Sequence, residues 1–384
     1  MKKRFIVLVI SAVIFSSCQA GENNDQTNSE SDNNEQLPHV EESNNDGGNQ
    51  EDHTEDGQLN GKTSEDWEVE TVANNLDVPW SVMVQEDAFY MSERNGSIVV
   101  VNGSEMERQE LMTSDPIAHE GEAGLLGFVL ADDYEDSREG IAYYTFVNEQ
   151  GNLMNRVVKI ENDDGWEETE ILLDEIPGDR IHNGGRLAIG PDNMLYVTTG
   201  DANIPEDSQD ETNLAGSILR MTHKGEVPED NPLEGSYVYS YGHRNPQGLA
   251  WNSEGNLYSS EHGPAAQDEL NLIEPGKNYG WPVIEGDESA DDMEEPIIHS
   301  GEDTWAPSGI AFWTDHLLMT GLRGESLYYY HEEENNIVQI FEGKGRLRDV
   351  KVEGNSIYII TNNTDGRGSP DEDDDKLLKL TLND

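Results

Sequence analysis

Between His182 and Pro282 the chain gathers most of its chemically capable side chains into short blocks. His182-Asn183-Gly184-Gly185-Arg186 comes first, then Gly200-Asp201, then Gly242-His243-Arg244-Asn245-Pro246-Gln247. Glu261-His262-Gly263-Pro264 and Asp268-Glu269 follow, and Asn278-Tyr279-Gly280-Trp281-Pro282 closes the run. Imidazole exchanges a proton near neutral pH, and guanidinium steadies negative charge on oxygen. Each block sets polar or ionisable groups beside Gly or Pro and next to a β-type apolar run. That arrangement puts reactive side chains on rigid turns at strand ends, where functional groups concentrate.

The elements that must hold these turns are short strands. Ser97–Val101, Ile141–Phe146, Arg156–Ile160, Met194–Thr199, Leu257–Ser260, Leu317–Thr320, Leu327–Tyr330 and Ser356–Thr361 are apolar, β-branched or aromatic runs. Turn signals such as Asn95-Gly96, Pro191-Asp192-Asn193 and Glu353-Gly354-Asn355 lie between them. No long stretch has helical periodicity. A cadence of small residues and an apolar run, a turn, and a second strand recurs at Arg186–Thr199, Gly248–Ser260 and Ser308–Thr320. Variants stand at Trp80–Met91 and Asp349–Ile360. Unevenly spaced repetition of small antiparallel sheets predicts an all-β, propeller-like fold, which protects strand edges by radial closure. A β-sandwich array would lack this cadence.

The motifs resemble those of the soluble quinoprotein sugar dehydrogenases, the PQQ-dependent glucose, aldose and sorbosone dehydrogenase family. The match runs from Val78-Pro79-Trp80 to Asp365-Gly366-Arg367. It includes Gly124-Leu125-Leu126-Gly127-Phe128, Asn213-Leu214-Ala215-Gly216-Ser217, Ala306-Pro307-Ser308-Gly309 and Gly345-Arg346-Leu347-Arg348-Asp349. The resemblance implies a six-bladed β-propeller with the quinone over its mouth. It implies oxidation of an aldose at the anomeric carbon, giving an aldonolactone and passing electrons to an external acceptor. PQQ and Ca2+ are the implied cofactors.

Residue by residue, the resemblance makes His182 the base that takes the anomeric proton and Asp201 the acid that orients it. Arg244 and Asn245 fall over the quinone carbonyls. Gly263 and Pro264 fall where backbone carbonyls bind Ca2+, a cation that takes oxygen ligands. Asp268 and His262 are cofactor contacts, and Arg323, Arg346 and Arg348 form the cationic set for the PQQ carboxylates. Arg346 and Arg348 are two apart, so an extended segment puts them on one face. His262 stands where the glucose-oxidising branch has Gln, Arg323 where it has Lys, and Glu122 where it has a substrate-contacting Gln. These departures bear on which sugar is taken and leave every catalytic part in place.

Composition bounds the partners. The formal net charge of −57 over 384 residues argues against nucleic-acid binding, which needs a basic surface. The polar N-terminal stretch accounts for little of it; the folded region is itself acidic, as a solvated surface. Residues 1–18 read as a secretory signal, with three basic residues, an apolar run and small residues. Phe15-Ser16-Ser17-Cys18 resembles a bacterial lipobox, which makes Cys18 the lipidated residue and places the protein on the outer face of the bacterial membrane. Cys18 is the chain's one cysteine, so intrachain disulfides are excluded. Residues 19–66 are polar and acidic and read as a disordered tether; residues 67–384 form the propeller. Two other readings share the fold. One is a non-catalytic propeller that binds a glycan or a protein, which intact His182, Asp201 and Arg244 oppose. The other is a calcium-dependent lactonase-type propeller, whose metal would be centred on carboxylates from several blades.

Overall fold

The computed structural model describes residues 59–383. Six antiparallel sheets of four strands make up nearly all of the regular structure in this region. Their inner strands are Pro79–Gln85, Leu125–Leu130, Leu187–Ile189, Pro246–Trp251, Pro307–Trp313 and Leu347–Glu353, which open blades I to VI in that order. Neighbouring inner strands touch all the way round, and blade VI touches blade I, so the sheets close into a six-bladed propeller. The fourth strand of blade VI is N-terminal: Trp67–Ala73 pairs with the C-terminal strand Leu377–Leu382, Trp67 opposite Leu382. This pairing ties the two ends of the ring and leaves no unclosed gap between first and last blades.

Hydrophobic layers lie between the blades. Phe128, Tyr144, Val158 and Trp166 of blade II pack against Tyr90 and Ile98 of blade I. Tyr196 and Ile218 of blade III meet Leu249 and Leu257 of blade IV. Leu318 and Tyr329 of blade V meet Val350 and Ile359 of blade VI. Each sheet therefore has both faces covered, and a fully buried Leu or Ile contributes about 1.5–3 kcal/mol. The recurring cadence in the sequence corresponds to the first two strands of blades I, III, IV, V and VI. Blade II breaks it because Ala131–Arg138, with the one-turn helix Tyr134–Ser137, separates its first two strands.

Two features go beyond the sequence reading. The segment assigned to the tether is packed at its end: Leu59 is fully buried with Trp67 and Trp313, and Ser64 Oγ accepts the Glu342 N–H at 2.8 Å. One apolar residue in a polar run carries no periodicity, so composition hides it. The expected signal peptide, Cys18 and most of the expected tether lie outside the described residues. The second feature is a repeated irregularity. Register slips near the start of the inner strands of blades I, II, IV, V and VI. Such bulges re-aim a side chain and often border functional sites. The residues skipped are Trp80, Leu126 with Gly127, Gln247, Ser308 with Gly309, and Arg348. Of these, Trp80, Leu126, Gln247 and Arg348 line one cleft at the end of the ring.

Candidate active site

Antiparallel strands alternate direction, so the loops between blades and those between second and third strands emerge at the same end of the ring. The blocks singled out in the sequence lie in these loops or at the strand ends beside them, except Asn278–Pro282, which lies in the long connection between the third and fourth strands of blade IV. His182 sits in the loop from blade II to blade III with φ +57°, followed by Gly184 and Gly185 at positive φ. A non-glycine residue in this region is held there by its surroundings. A Cβ on Gly184 would meet the Thr198 carbonyl at 2.7 Å, and one on Gly200 would collide with the His182 carbonyl. The glycines therefore let the His182 loop lie against the Gly200-Asp201 turn.

That approach brings His182 Nδ1 to 2.7 Å from Asp201 Oδ1. The same oxygen accepts the Asn203 N–H at 2.8 Å, and Oδ2 accepts the Trp281 indole N–H at 2.9 Å. Asp201 is fully buried and serves as an acceptor throughout, so His182 donates through Nδ1 and Nε2 carries the lone pair. The arrangement is a base with its orienting carboxylate. Trp281 is the member that sequence reasoning missed. Its block was visible, but its link to Asp201 spans two blades; its ring also lies 5.3 Å from the Arg244 guanidinium.

Arg244 is placed by its backbone, whose N–H donates to Glu261 Oε2 at 3.0 Å and whose carbonyl accepts the Asp201 N–H at 2.8 Å. Its Nη1 donates to the His262 and Gly263 carbonyls at 3.1 and 2.7 Å. Two carbonyl dipoles thus converge on one cation. Asn245 Oδ1 accepts the Gly184 N–H at 3.0 Å, tying this turn to the His182 loop.

The cleft beside His182 has a volume of about 410 Å3. Trp80, Leu126, Gln247 and Arg348 line it from the inner strands, and Arg94, Glu122, Asn183, His262, Leu322 and Arg367 from the loops. Arg348 Nη1 donates to Gln247 Oε1 at 2.7 Å, while burial brings its guanidinium down to about 9. Beneath it Arg186 pairs with Asp349 at 2.9 Å and lies 4.4 Å from the Trp80 ring centre. Burial pulls the His262 imidazole down to about 4, and the nearby Arg348 and Arg244 charges add to the effect. Burial pushes the Glu122 carboxyl up, but the charges of Arg367 and His262 and the hydrogen bonds it accepts outweigh this and hold it near 2. The Nε donors of Arg244, Arg346 and Arg348 and the His262 Nε2 nitrogen are buried around this region without protein partners. Unmatched buried N–H groups are costly, and this set is suited to an anionic, acceptor-rich ligand.

Two expected contacts stand differently. Both Asp268 oxygens face inward: Oδ1 accepts the Gly263 N–H, and Oδ2 accepts Thr304 Oγ1–H and the Trp305 and Ala306 N–H groups at 2.7–2.8 Å. Four donors fill a carboxylate, so Asp268 shapes the Gly263-Pro264 loop instead of facing a ligand. Arg323 is exposed and stands outside the cleft, whereas its neighbour Leu322 lines it. Arg346 is buried, with Nη2 on Asp365 at 3.0 Å and Nη1 on the Leu322 carbonyl at 3.2 Å.

Residues 76–378 match the family model described as glucose/sorbosone dehydrogenase. The chain belongs to that family. It is 32% identical over 257 residues to quinoprotein glucose dehydrogenase B of Acinetobacter calcoaceticus, a match spanning 58% of this chain and 54% of that relative. It is 28% identical to aldose sugar dehydrogenase YliI of Escherichia coli over 78% of this chain and 91% of that one. Among solved structures, the PQQ-bound aldose sugar dehydrogenase of Streptomyces coelicolor superposes with a TM-score of 0.76 at 38% identity, covering 82% of this chain and 98% of that chain. The resemblance read from the motifs and the six-bladed propeller are both borne out. Arg94 is a cleft residue outside every motif, and Gln247 and Arg367 are cleft residues that the motifs contain without a role for them. The signal for the two arginines was the rarity of basic residues, 23 Lys and Arg against 80 Asp and Glu.

Proposed function

We propose that this protein is a PQQ- and Ca2+-dependent aldose dehydrogenase that oxidises the anomeric carbon to an aldonolactone and passes electrons to an external acceptor. The observation that carries the reading is His182 with Nδ1 held by Asp201 and Nε2 free, beside a cleft lined by the buried Arg348 guanidinium, whose Nε has no protein partner. His182 Nε2 would take the anomeric hydroxyl proton, and Asp201 would stabilise the imidazolium, as in other base–orienter pairs. Trp281 and Asn203 keep that carboxylate turned to the ring. Arg346 and Arg348 would hold the cofactor's carboxylates through the N–H groups now unmatched, and Arg244 with Asn245 its carbonyl side. PQQ, when bound, supplies the two-electron acceptor for the anomeric hydride. Ca2+ would be held by the Gly263 and Pro264 carbonyls and supply Lewis acidity; of the two, the Gly263 carbonyl already faces a cation, accepting from Arg244 Nη1 at 2.7 Å. The lactonase reading instead needs several carboxylates, and among the described residues no group of three or more His, Cys, Asp or Glu gathers as a metal site. Cys18 is proposed as a lipid attachment site that anchors the domain outside the membrane, a reading tested by labelled-fatty-acid incorporation in wild type and Cys18→Ala.

The deciding experiment titrates the Ca2+-loaded protein with PQQ by calorimetry and follows dye reduction with a panel of aldoses. Saturable PQQ binding with sugar-dependent reduction, lost in His182→Ala while PQQ still binds, supports the assignment. Failure to bind PQQ would sink it.

A further inference from the structure

The mouth of the cleft carries an ion pair that the proposed reaction does not use. Glu122 Oε1 lies 2.8 Å from Arg367 Nη1, and Oε2 accepts the His182 backbone N–H at 3.2 Å. The Glu122 loop is built rigidly. Arg94 donates to the Gly121 and Ala123 carbonyls on either side of it, and the Glu122 N–H donates to the Arg180 carbonyl at 2.7 Å. Gly121 and Gly124 are at positive φ, and a Cβ on either would collide with the Arg180 or Arg94 carbonyl. Arg367 is the loose partner: its side chain is 52% exposed against 22% for Glu122. An ion pair with one member half in water opens at little cost.

We propose that Glu122 and Arg367 form a charge filter that makes this cleft select neutral and amino-bearing aldoses over uronic acids. The inference rests on the sugar-oxidising reading and deepens it. A sugar that reaches His182 must pack beside Glu122, because that carboxylate is bonded to the His182 backbone. Hydroxyl or ammonium donors of the sugar replace Arg367 on Glu122 Oε1, while Oε2 keeps the His182 N–H. A sugar carboxylate meets a fixed like charge instead, and a buried or half-buried like-charge contact is a strong means of rejection. Arg367 in the resting cleft is the counter-ion that the substrate displaces.

The test compares kcat/KM for glucose, glucosamine and glucuronic acid, one scaffold in three charge states, with the PQQ- and Ca2+-loaded full chain. Wild type is expected to prefer glucosamine and glucose to glucuronic acid by about tenfold or more in kcat/KM, the glucuronic acid penalty falling mostly in KM because its C6 carboxylate is remote from the reacting carbon. Glu122→Gln leaves Arg367 without its counter-ion, so glucuronic acid gains and glucosamine loses by about tenfold. Arg367→Gln moves both ratios the opposite way, and high salt narrows all of them. Arg367 is exposed, so its variant keeps the test valid should Glu122→Gln melt early. Turnover with the same three ratios in wild type and both variants overturns the filter while leaving the dehydrogenase intact. No turnover of any of the three sugars, nor of the wider aldose panel, overturns the dehydrogenase reading and the filter with it.

Discussion

At one end of the ring the strands are joined by tight turns: Glu86-Asp87, Thr314-Asp315 and Gly354-Asn355 have two residues each. At the other end the connections include Gly178–Arg186, Gly200–Gly216 and Asn362–Lys376. Hollows occur at both ends. The tight-turn end has a groove of about 700 Å3 between blades IV and V, wider than the cleft beside His182, bordered by Glu254, Asp315 and Glu332. Its polar groups are exposed or already paired: Asn252 Oδ1 accepts the Glu254 and Asn256 N–H groups at 3.1 and 2.8 Å, and Ser253 Oγ donates to Asp315 Oδ1 at 3.4 Å. The smaller cleft is instead lined by the buried Arg348, whose Nε has no protein partner, and by His262, whose Nε2 has none. Cavity size thus says little about function here; the informative quantity is the unfavourable energy of buried, unmatched polar groups, which a folded chain carries where a ligand offsets it.

Substitutions can break this contrast, and the largest effect is expected at the base. His182→Ala should lower kcat/KM by about 10³-fold or more, and Asp201→Asn by at least about 10²-fold through loss of the ring orientation, with PQQ affinity nearly unchanged. Trp281→Phe removes one of the Asp201 donors and should cost about tenfold. Steady-state dye reduction beside calorimetric titration separates these; equal losses in both measurements would mean that His182 holds the cofactor and is not a base.

Next comes the floor. Arg348→Met should weaken PQQ binding about 100-fold or more while leaving the cofactor-free protein as stable or up to about 3 kcal/mol more stable, since a buried charge with an unmatched N–H is removed. Differential scanning calorimetry of the cofactor-free protein checks this, and a marked loss of stability would show Arg348 to be a structural residue.

A smaller, pH-dependent effect lies behind the site. Burial, reinforced by the Glu261 charge, pushes the Glu269 carboxyl up to about 8. The folded state then binds this proton more tightly than the unfolded chain does, so Glu269 lowers stability progressively as pH rises from about 4.5 to 8. Chemical denaturation in chelator across that range should show the decline, and Glu269→Gln should flatten it; identical slopes would place Glu269 in a solvated setting.

The smallest effect belongs to the other end. Asn252→Ala removes two turn hydrogen bonds and should cost about 1 kcal/mol in denaturant titrations, with kcat/KM unaltered. A change in turnover from that position would mean that the two ends are coupled through blade IV.

Much of this architecture was legible. The strands, their turns and the cadence of five of six blades follow from period-two patterning and turn chemistry, which are local properties. Blade II escaped because its insertion of eight residues interrupts the cadence. The His182, Asp201 and Arg244 blocks were visible because Gly beside an ionisable residue at a strand end marks a constrained functional turn. The orientation of Asp268, the exposure of Arg323 and the packing of Leu59 were not.

By itself, then, the sequence determined an all-β repeating fold, an acidic composition, and the loops that carry ionisable groups. Only the tertiary structure decided which of those groups meet. Asp201 meets Trp281, Glu122 meets Arg367 and Arg186 meets Asp349 across different blades. Closure of the ring sets those distances, and the inner-strand bulges select which side chain of each blade turns into the cleft. Both arise from the packing of six sheets against one another, and no local pattern in the chain encodes them.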